Sequence, residues 1–437
     1  MPSREEVAYF GAGPAPLPTE VLEKASRVLL NYNDSGIGIT EISHRSPEAN
    51  AILASTQAAL RNLLDIPESD GPDGYQILFL QGGGSGEFSA SVYHMVGIWV
   101  ERRRREIIQE LGEGASDDDV FKRLKAAVDK DMKIDYLVTG SWSLKASQEA
   151  ARLVGPGPIN IATDARKSRG GKFGLIPPES EWNLSPKPAD CAMVYYCDNE
   201  TVDGVEFPSF PSCLADGSRP VVADMSSNFI SRKVDVKRYD AIFGGAQKNI
   251  GTTGITIAII KNTLLPPHIE LAKPDLLRRL QLPVGPVVLD WPTIAKNNSL
   301  YNTLPIFDVW VAGQVMEGLL ERHGAASPRI QGQEDESDRK AKLLYGVLEQ
   351  YSQLFHVVPD ATARSRMNVC FRIGDEADRD AKEKAFLAGA AQLKLLGCKG
   401  HRSVGGIRIS NCEYPIRLTT STSVANTYTT MRSPRQK

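Results

Sequence analysis

The segment GGAQKNIG places one lysine, Lys248, among small and apolar residues just after a run of strand character. A lysine in that setting is poorly solvated, which lowers its pKa and favours the neutral, nucleophilic amine. Upstream, VVADMSS ends another apolar run on Asp224. A carboxylate at a neighbouring strand end could keep a heterocyclic nitrogen protonated and make its ring an electron sink. Earlier still, QGGGSGEF from Gln81 to Phe88 runs from a strand through glycines into a helix. Such a turn frees backbone N–H groups and aims a helix N-terminus at an anion. It lacks the lysine of a P-loop and the spacing of a dinucleotide fingerprint, and a tight turn without a ligand fits it as well. Trp142, in TGSWS, could stack on a flat ring or fill a core. Singly, Lys248 could equally snorkel to solvent and Asp224 cap a helix. The group matters because phosphate turn, aromatic, aspartate and lysine follow one another along the chain.

The elements that must position them are strands alternating with helices. Runs at Tyr75–Leu80, Tyr136–Thr139, Ala192–Tyr196, Val221–Ala223, Ala241–Phe243 and Ile255–Ile260 read as buried strands. Helical spacing runs from an N-cap at Thr19 to about Tyr32, from Pro47 to Leu64, from Gly86 onward, and over Pro305 to Leu320. Two glycines and three prolines keep 11–18 irregular. The pattern predicts an α/β protein with a large domain, a mainly parallel mixed sheet flanked by helices, and a smaller α+β C-terminal domain. The expected divisions are an N-terminal segment 1–18 near the active site, a large domain over 19–328, a small one over 329–410, and an atypical tail over 411–437. Residues 100–131 carry Arg102–Arg105 and Asp117–Asp119 in rows and read as a solvated helical hairpin inserted in the large domain.

Composition narrows the classes. With 437 residues, 41% hydrophobic and 24% charged, the chain has ample material for a large core. A net charge of −2 gives no reason to expect nucleic acid or an anionic membrane as partner. No apolar run is long enough to span a bilayer, and the start lacks the apolar core of a signal peptide. The six cysteines form no CxxC pair and read as reduced thiols of a cytoplasmic protein. The six histidines form no metal-ligand pattern, so no metal is expected.

The blocks GPAPLP, EISHRS, QGGGSGEF, NETVDG, ADMSSN, GAQKNIG, YNTLP, RSRMNV and GHRSVGGIR occur in order between Phe10 and Ser410. With them the chain resembles the phosphoserine aminotransferases, a class-V branch of the fold-type-one pyridoxal-phosphate enzymes. The resemblance implies a ping-pong transaminase of serine biosynthesis, with pyridoxal 5'-phosphate as cofactor. Its small molecules would be glutamate, 2-oxoglutarate, 3-phosphohydroxypyruvate and phosphoserine. Lys248 matches the Schiff-base lysine, Asp224 the partner of the pyridine nitrogen, and Trp142 the stacking ring. Thr201 matches a cofactor-contacting hydroxyl, and Gly84, Ser85 and Gln247 the phosphate cradle. Asn302 and Thr303 match residues that reach the cofactor phosphate of a second subunit, which implies a homodimer with shared active sites. Arg408 would take the α-carboxylate; His401 and Arg402, with Arg45 and His44 of the other subunit, would take the distal anion. Arginine suits both because its planar fork grips carboxylate and phosphate.

Some residues depart from the family pattern. Ala12 stands where some relatives carry serine, and Ser85 where some carry arginine. The 100–131 segment suggests a fungal-type variant. After GGIRIS the family continues into an amphipathic helix, whereas this tail is rich in serine and threonine. It reads as a translated intron, a shifted frame or a variant tail, and losing the helix would expose an apolar patch. Rival readings are another class-V aminotransferase such as an alanine–glyoxylate enzyme, a cysteine desulfurase using Cys398 or Cys412, and a relative that keeps the fold without activity.

Overall fold

The computed structural model describes residues 3–412 apart from 113 and 327. Of the tail over 411–437 that the sequence singles out, the part from 413 on lies outside the described residues.

Seven strands form the main sheet: β1 (Tyr75–Leu80), β2 (Lys133–Val138), β3 (Ile159–Asp164), β4 (Cys191–Cys197), β5 (Val221–Asp224), β6 (Ala241–Gly245) and β7 (Thr256–Lys261). Their order across the sheet is β1-β7-β6-β5-β4-β2-β3. The neighbours from β6 to β3 pair in parallel, while β7 runs antiparallel to both β6 and β1. The central strands are buried on both faces, which is why they read as unbroken apolar runs such as CAMVYYC. Two apolar clusters sandwich the sheet. One gathers around helices α1 (Thr19–Val28) and α2 (Pro47–Leu64). The other gathers around α3 (Gly83–Leu111), α4 (Asp117–Lys130) and α5 (Ser141–Val154).

Local chemistry sets the helix limits. Ser46 caps α2 by accepting the Ala49 N–H at 3.2 Å, and Pro47 occupies the first helical turn. Asp65 ends α2 in the left-handed region. Two expectations shift. Thr19 is the first residue of α1 rather than its cap, and α1 ends at Val28, short of Tyr32, with the chain turning at positive φ at Asn33 and Asp34. Helix α3 starts inside the glycine cluster, not at Gly86: Gly82 and Gly83, at φ 121° and 64°, make a turn that only glycine adopts freely. Strand β3 has no counterpart among the strands expected from the sequence pattern.

The charged insertion is the end of α3 followed by α4. Arg104 and Arg105 both bond the buried Glu101, Arg103 bonds Glu106 and Glu110, and Arg102 donates to the Ala189 carbonyl at 2.6 Å. All four arginines therefore have acceptors within the fold.

Beyond the sheet, α6 (Ile306–His323) packs back on α2, and α7 (Gln331–Gln350) leads to a small antiparallel sheet. Its strands are β8 (Phe355–Val357), β9 (Asn368–Ile373) and β10 (Ile407–Ser410), with β9 central. With α8 (Arg379–Gln392) they enclose a third cluster, which Phe10 of the N-terminal segment completes.

A fully buried carboxyl sits in the first turns of α3. Glu87 accepts from the Trp291 indole N–H at 3.1 Å through one oxygen, and its other oxygen has no hydrogen-bond partner. Burial pushes its pKa from 4.5 up to about 7, with the nearby Asp224 charge adding to the rise. The folded protein therefore retains this proton where the unfolded chain has lost it. The resulting stability is complete below pH 4.5 and is lost as pH rises through 7. Glu87→Gln keeps an acceptor for Trp291 and removes the titration. Urea melts should show the variant gaining on the parent between those pH values, by roughly 3 kcal/mol at pH 8, since each tenfold change in proton affinity is worth ~1.4 kcal/mol. A difference that does not change with pH would contradict this assignment.

Candidate functional site

The carboxyl ends of β1, β2, β4, β5 and β6 all point to one edge of the sheet. In open α/β sheets such an edge gathers the loops that bind ligands. Each loop brings one of the residues singled out from the sequence.

Lys248 follows β6 and is only 9% exposed. Its Nζ donates to Thr201 Oγ1 at 2.7 Å. Burial lowers the amine's pKa and the Arg408 charge adds to the fall; Asp224 works in the opposite direction. Asp224 closes β5 and is almost fully buried. Burial raises its carboxyl pKa, opposed by hydrogen bonds from Ser226, whose N–H donates to Oδ1 at 2.8 Å. No ion pair among the described residues includes Asp224. A buried acid lacking a salt-bridge partner suits a cationic ring N–H.

Thr201 lies on the turn after β4, and that turn also supports Trp142. The Glu200 carboxylate accepts the backbone N–H groups of Trp142 and Ser143, both at 2.8 Å, and the Ser143 hydroxyl at 2.6 Å. It thus caps the N-terminus of α5. Burial still raises the Glu200 pKa to about 7. Asp203 takes the Ser141 N–H and hydroxyl in the same way. The Lys145 ammonium stands 4.2 Å from the centre of the Trp142 ring. Glu200, Asp203 and Lys145 were not singled out from the sequence. Two acids flanking Thr201 in NETVDG, close to a buried strand, were the available signal.

The glycine turn after β1 lies beside these groups. A Cβ on Gly84 would come within 3.5 Å of Asp224 Oδ2 and 3.3 Å of Ser226 Oγ, so the turn closes over the end of β5. Ser85 follows in the first turn of α3. The N-terminal segment closes the other side. The Ala15 N–H donates to the Gln247 carbonyl at 2.9 Å, and a Cβ on Gly13 would lie 3.3 Å from Lys248 Cε. Together these features fit a flat, anionic heterocycle bearing an aldehyde: an amine, a ring-nitrogen partner, an aromatic ring and free amides.

The small sheet contributes cations. Arg408, on β10, donates to the Thr201 carbonyl at 3.3 Å, and its Nε has no partner. Burial lowers its pKa. His401 Nδ1 lies 2.7 Å from the Ser403 hydroxyl, and burial with the charges of Arg408, Lys145 and Arg402 lowers its pKa. Arg402 is exposed.

The remaining residues are Arg45, His44, Asn302 and Thr303. Arg45 is exposed and donates to the Leu300 and Tyr301 carbonyls, each at 3.3 Å. His44 stands next to it with a buried, unpartnered Nε2. Asn302 donates to Gln81 Oε1 at 2.5 Å, and Thr303 is exposed. Among the described residues, no hydrogen bond or ion pair joins Arg45, His44, Asn302 or Thr303 to Lys248, Asp224 or Arg408. All six cysteines are free; burial pushes Cys398 up to about 12 and also raises Cys412, which lies near Lys248. No helix of the described residues is long and apolar enough to cross a membrane, and they hold no cluster of metal-ligating side chains.

Comparison with known proteins shows the family. The aminotransferase class-V family matches residues 96–410. The phosphoserine aminotransferase of Saccharomyces cerevisiae is 40% identical over 408 residues, covering 93% of each chain. That of Drosophila melanogaster is 38% identical, covering 92% of this chain and 93% of its own. Among solved structures, the phosphoserine aminotransferase from Bacillus circulans subsp. alkalophilus superposes with a TM-score of 0.75 at 30% identity, over 97% of this chain and 98% of that one. The pyridoxal-phosphate-bound enzyme from Trichomonas vaginalis gives 0.73 at 31% identity, over 97% and 99%. The chain belongs to the class-V aminotransferase family and, within it, to the phosphoserine aminotransferases.

Proposed function

We propose that this chain moves an amino group between glutamate and 3-phosphohydroxypyruvate, yielding 2-oxoglutarate and phosphoserine, a step of serine biosynthesis. The observation that carries the proposal is the buried Lys248 amine, 2.7 Å from Thr201 Oγ1 at the sheet edge that also presents Asp224. Pyridoxal 5'-phosphate, when bound, supplies an aldehyde for that amine and a ring that accepts the electron pair released at the substrate Cα.

This chain's own residues do the rest. Lys248 would take the proton from the substrate Cα as general base; its lowered pKa keeps it available for that task. Asp224 holds the ring nitrogen protonated. Trp142, fixed by Glu200, orients the ring face. Gly84, Ser85 and Gln247 line the phosphate end, and Thr201 holds the lysine. Arg408 receives the α-carboxylate that both amino donors carry. His401 and Arg402 face the distal anion.

Among the described residues Arg45, His44, Asn302 and Thr303 make no hydrogen bond or ion pair to Lys248, Asp224 or Arg408, which supports a homodimer in which these four residues serve the partner's site. Residues 329–410 are then the small domain that carries the substrate cations. A cysteine desulfurase is disfavoured, because a nucleophilic cysteine needs exposure and a lowered pKa. Cys398 and Cys412 have neither.

Turnover of phosphoserine with 2-oxoglutarate tests the reaction; a purified, cofactor-loaded chain that produces no glutamate would refute it. Arg45→Ala should raise the KM for phosphoserine by about ten-fold or more, while cofactor affinity stays near the parent value. Unchanged phosphoserine kinetics would remove Arg45 from the site. Lys248→Ala should abolish turnover alone. Refolded together with Arg45→Ala, it should give a component with the parental phosphoserine KM that amounts to about a quarter of parental sites, since half the dimers then hold one site with both side chains, over a background with the raised KM of Arg45→Ala. A mixture that shows only the raised KM would contradict shared sites.

A further inference from the structure

The substrate arm and the cofactor arm of the site are joined by a buried chain of amides and hydroxyls, to which the proposed mechanism assigns no part. Its hub is Asn199, on the segment that continues to Thr201. Asn199 Nδ2 donates to Ser227 Oγ at 2.6 Å and to Asn368 Oδ1 at 2.8 Å, so both of its N–H groups are used. Its Oδ1 accepts from the Ser365 hydroxyl at 2.5 Å. Asn368 in turn donates from Nδ2 to Ser410 Oγ at 3.0 Å. All five residues are buried, and Asn368 is fully so, which keeps it out of reach of substrate.

The register of the small sheet explains what this chain holds. On β9 and β10, Asn368 lies opposite Ser410 and Cys370 opposite Arg408. Residues two apart on a strand share a face. Arg408 therefore projects from the same face as Ser410, toward the turn that bears Thr201. Its own tether to that turn is weak: one 3.3 Å bond to the Thr201 carbonyl, with Nε unpartnered. The Asn368–Asn199 bridge is shorter and buried. Ser227, the third partner of the hub, belongs to the loop that follows Asp224. A buried, fully bonded amide is costly to disrupt, so the bridge favours one spacing of the three segments.

We infer that Asn368 is a positioning residue. Through Asn199 it sets the distance of the α-carboxylate arginine, Arg408, from the Thr201–Lys248 pair and from Asp224. This rests on the function proposed above. It implies that loosening the bridge weakens both amino donors alike, since both present an α-carboxylate.

The test uses the full chain loaded with pyridoxal phosphate. Hydrogen exchange of the segments 199–204 and 407–410 is read beside KM and kcat for phosphoserine and for glutamate. Asn368→Ala should speed exchange in both segments, and raise KM for both donors about ten-fold with kcat within about two-fold, as expected for one to two lost hydrogen bonds. Asn368→Asp keeps the acceptor for Asn199 but loses the donor to Ser410, and should restore part of the KM. Ser410→Ala removes only the outer bond and should shift KM in the same direction by less. Faster exchange confined to 407–410, or unchanged KM values in a folded Asn368→Ala, would overturn the inference. If that variant does not fold, unchanged KM in Ser410→Ala would overturn it. A parent chain without transaminase activity would instead refute the proposed reaction, and the exchange of the two segments would still decide whether the bridge couples them.

Discussion

The site depends on the desolvation of one amine. An ammonium group loses much of its hydration when buried, and its pKa falls unless carboxylates stand close enough to compensate. Lys248 meets that condition at the carboxyl edge of the sheet, where Thr201 is its hydrogen-bond acceptor and Asp224 opposes part of the fall. Moving the amine toward solvent would return it to the ordinary lysine range. The surrounding turns act as walls: the glycine turn over the end of β5, the N-terminal segment against Gln247, and the 199–204 turn beneath.

Those walls are anchored by buried charges that compensate one another. Arg232 pairs with Asp198, and Arg366 bonds Glu206 at 2.6 Å. Asp198 and Glu206 flank the turn that bears Thr201, whereas Arg366 lies two residues before β9 of the small sheet. Burial alone would raise the Glu206 pKa, yet the two arginines hold it below the usual value. Breaking either pair would leave an uncompensated charge inside, which costs far more than a surface ion pair. The result is a rigid floor for a site whose chemistry needs a poorly solvated amine.

Much of this was legible in the sequence. Strands buried on both faces read as apolar runs, and the helices over Pro47–Leu64 and Pro305–Leu320 announced themselves by spacing. Strand β3 did not, because INIATD is an edge strand with only two buried positions and no clean alternation. The antiparallel direction of β7 follows from the link 246–255, which is too short for a parallel crossover. Lys248 and Asp224 were visible because Asp224 ends one apolar run and Lys248 closely follows another. Glu200, Lys145 and Asn199 were not, since their roles arise only when the ends of separate strands meet. The Asn199–Asn368 bridge joins residues 169 apart. No local pattern encodes such a contact.

The claim at the centre is that the ε-nitrogen of Lys248 is the group that bonds the cofactor aldehyde. The direct measurement is borohydride reduction of the pyridoxal-phosphate-loaded protein followed by peptide mapping. The account predicts a reduced adduct on Lys248 and on no other side chain. An adduct elsewhere, or none, would contradict it.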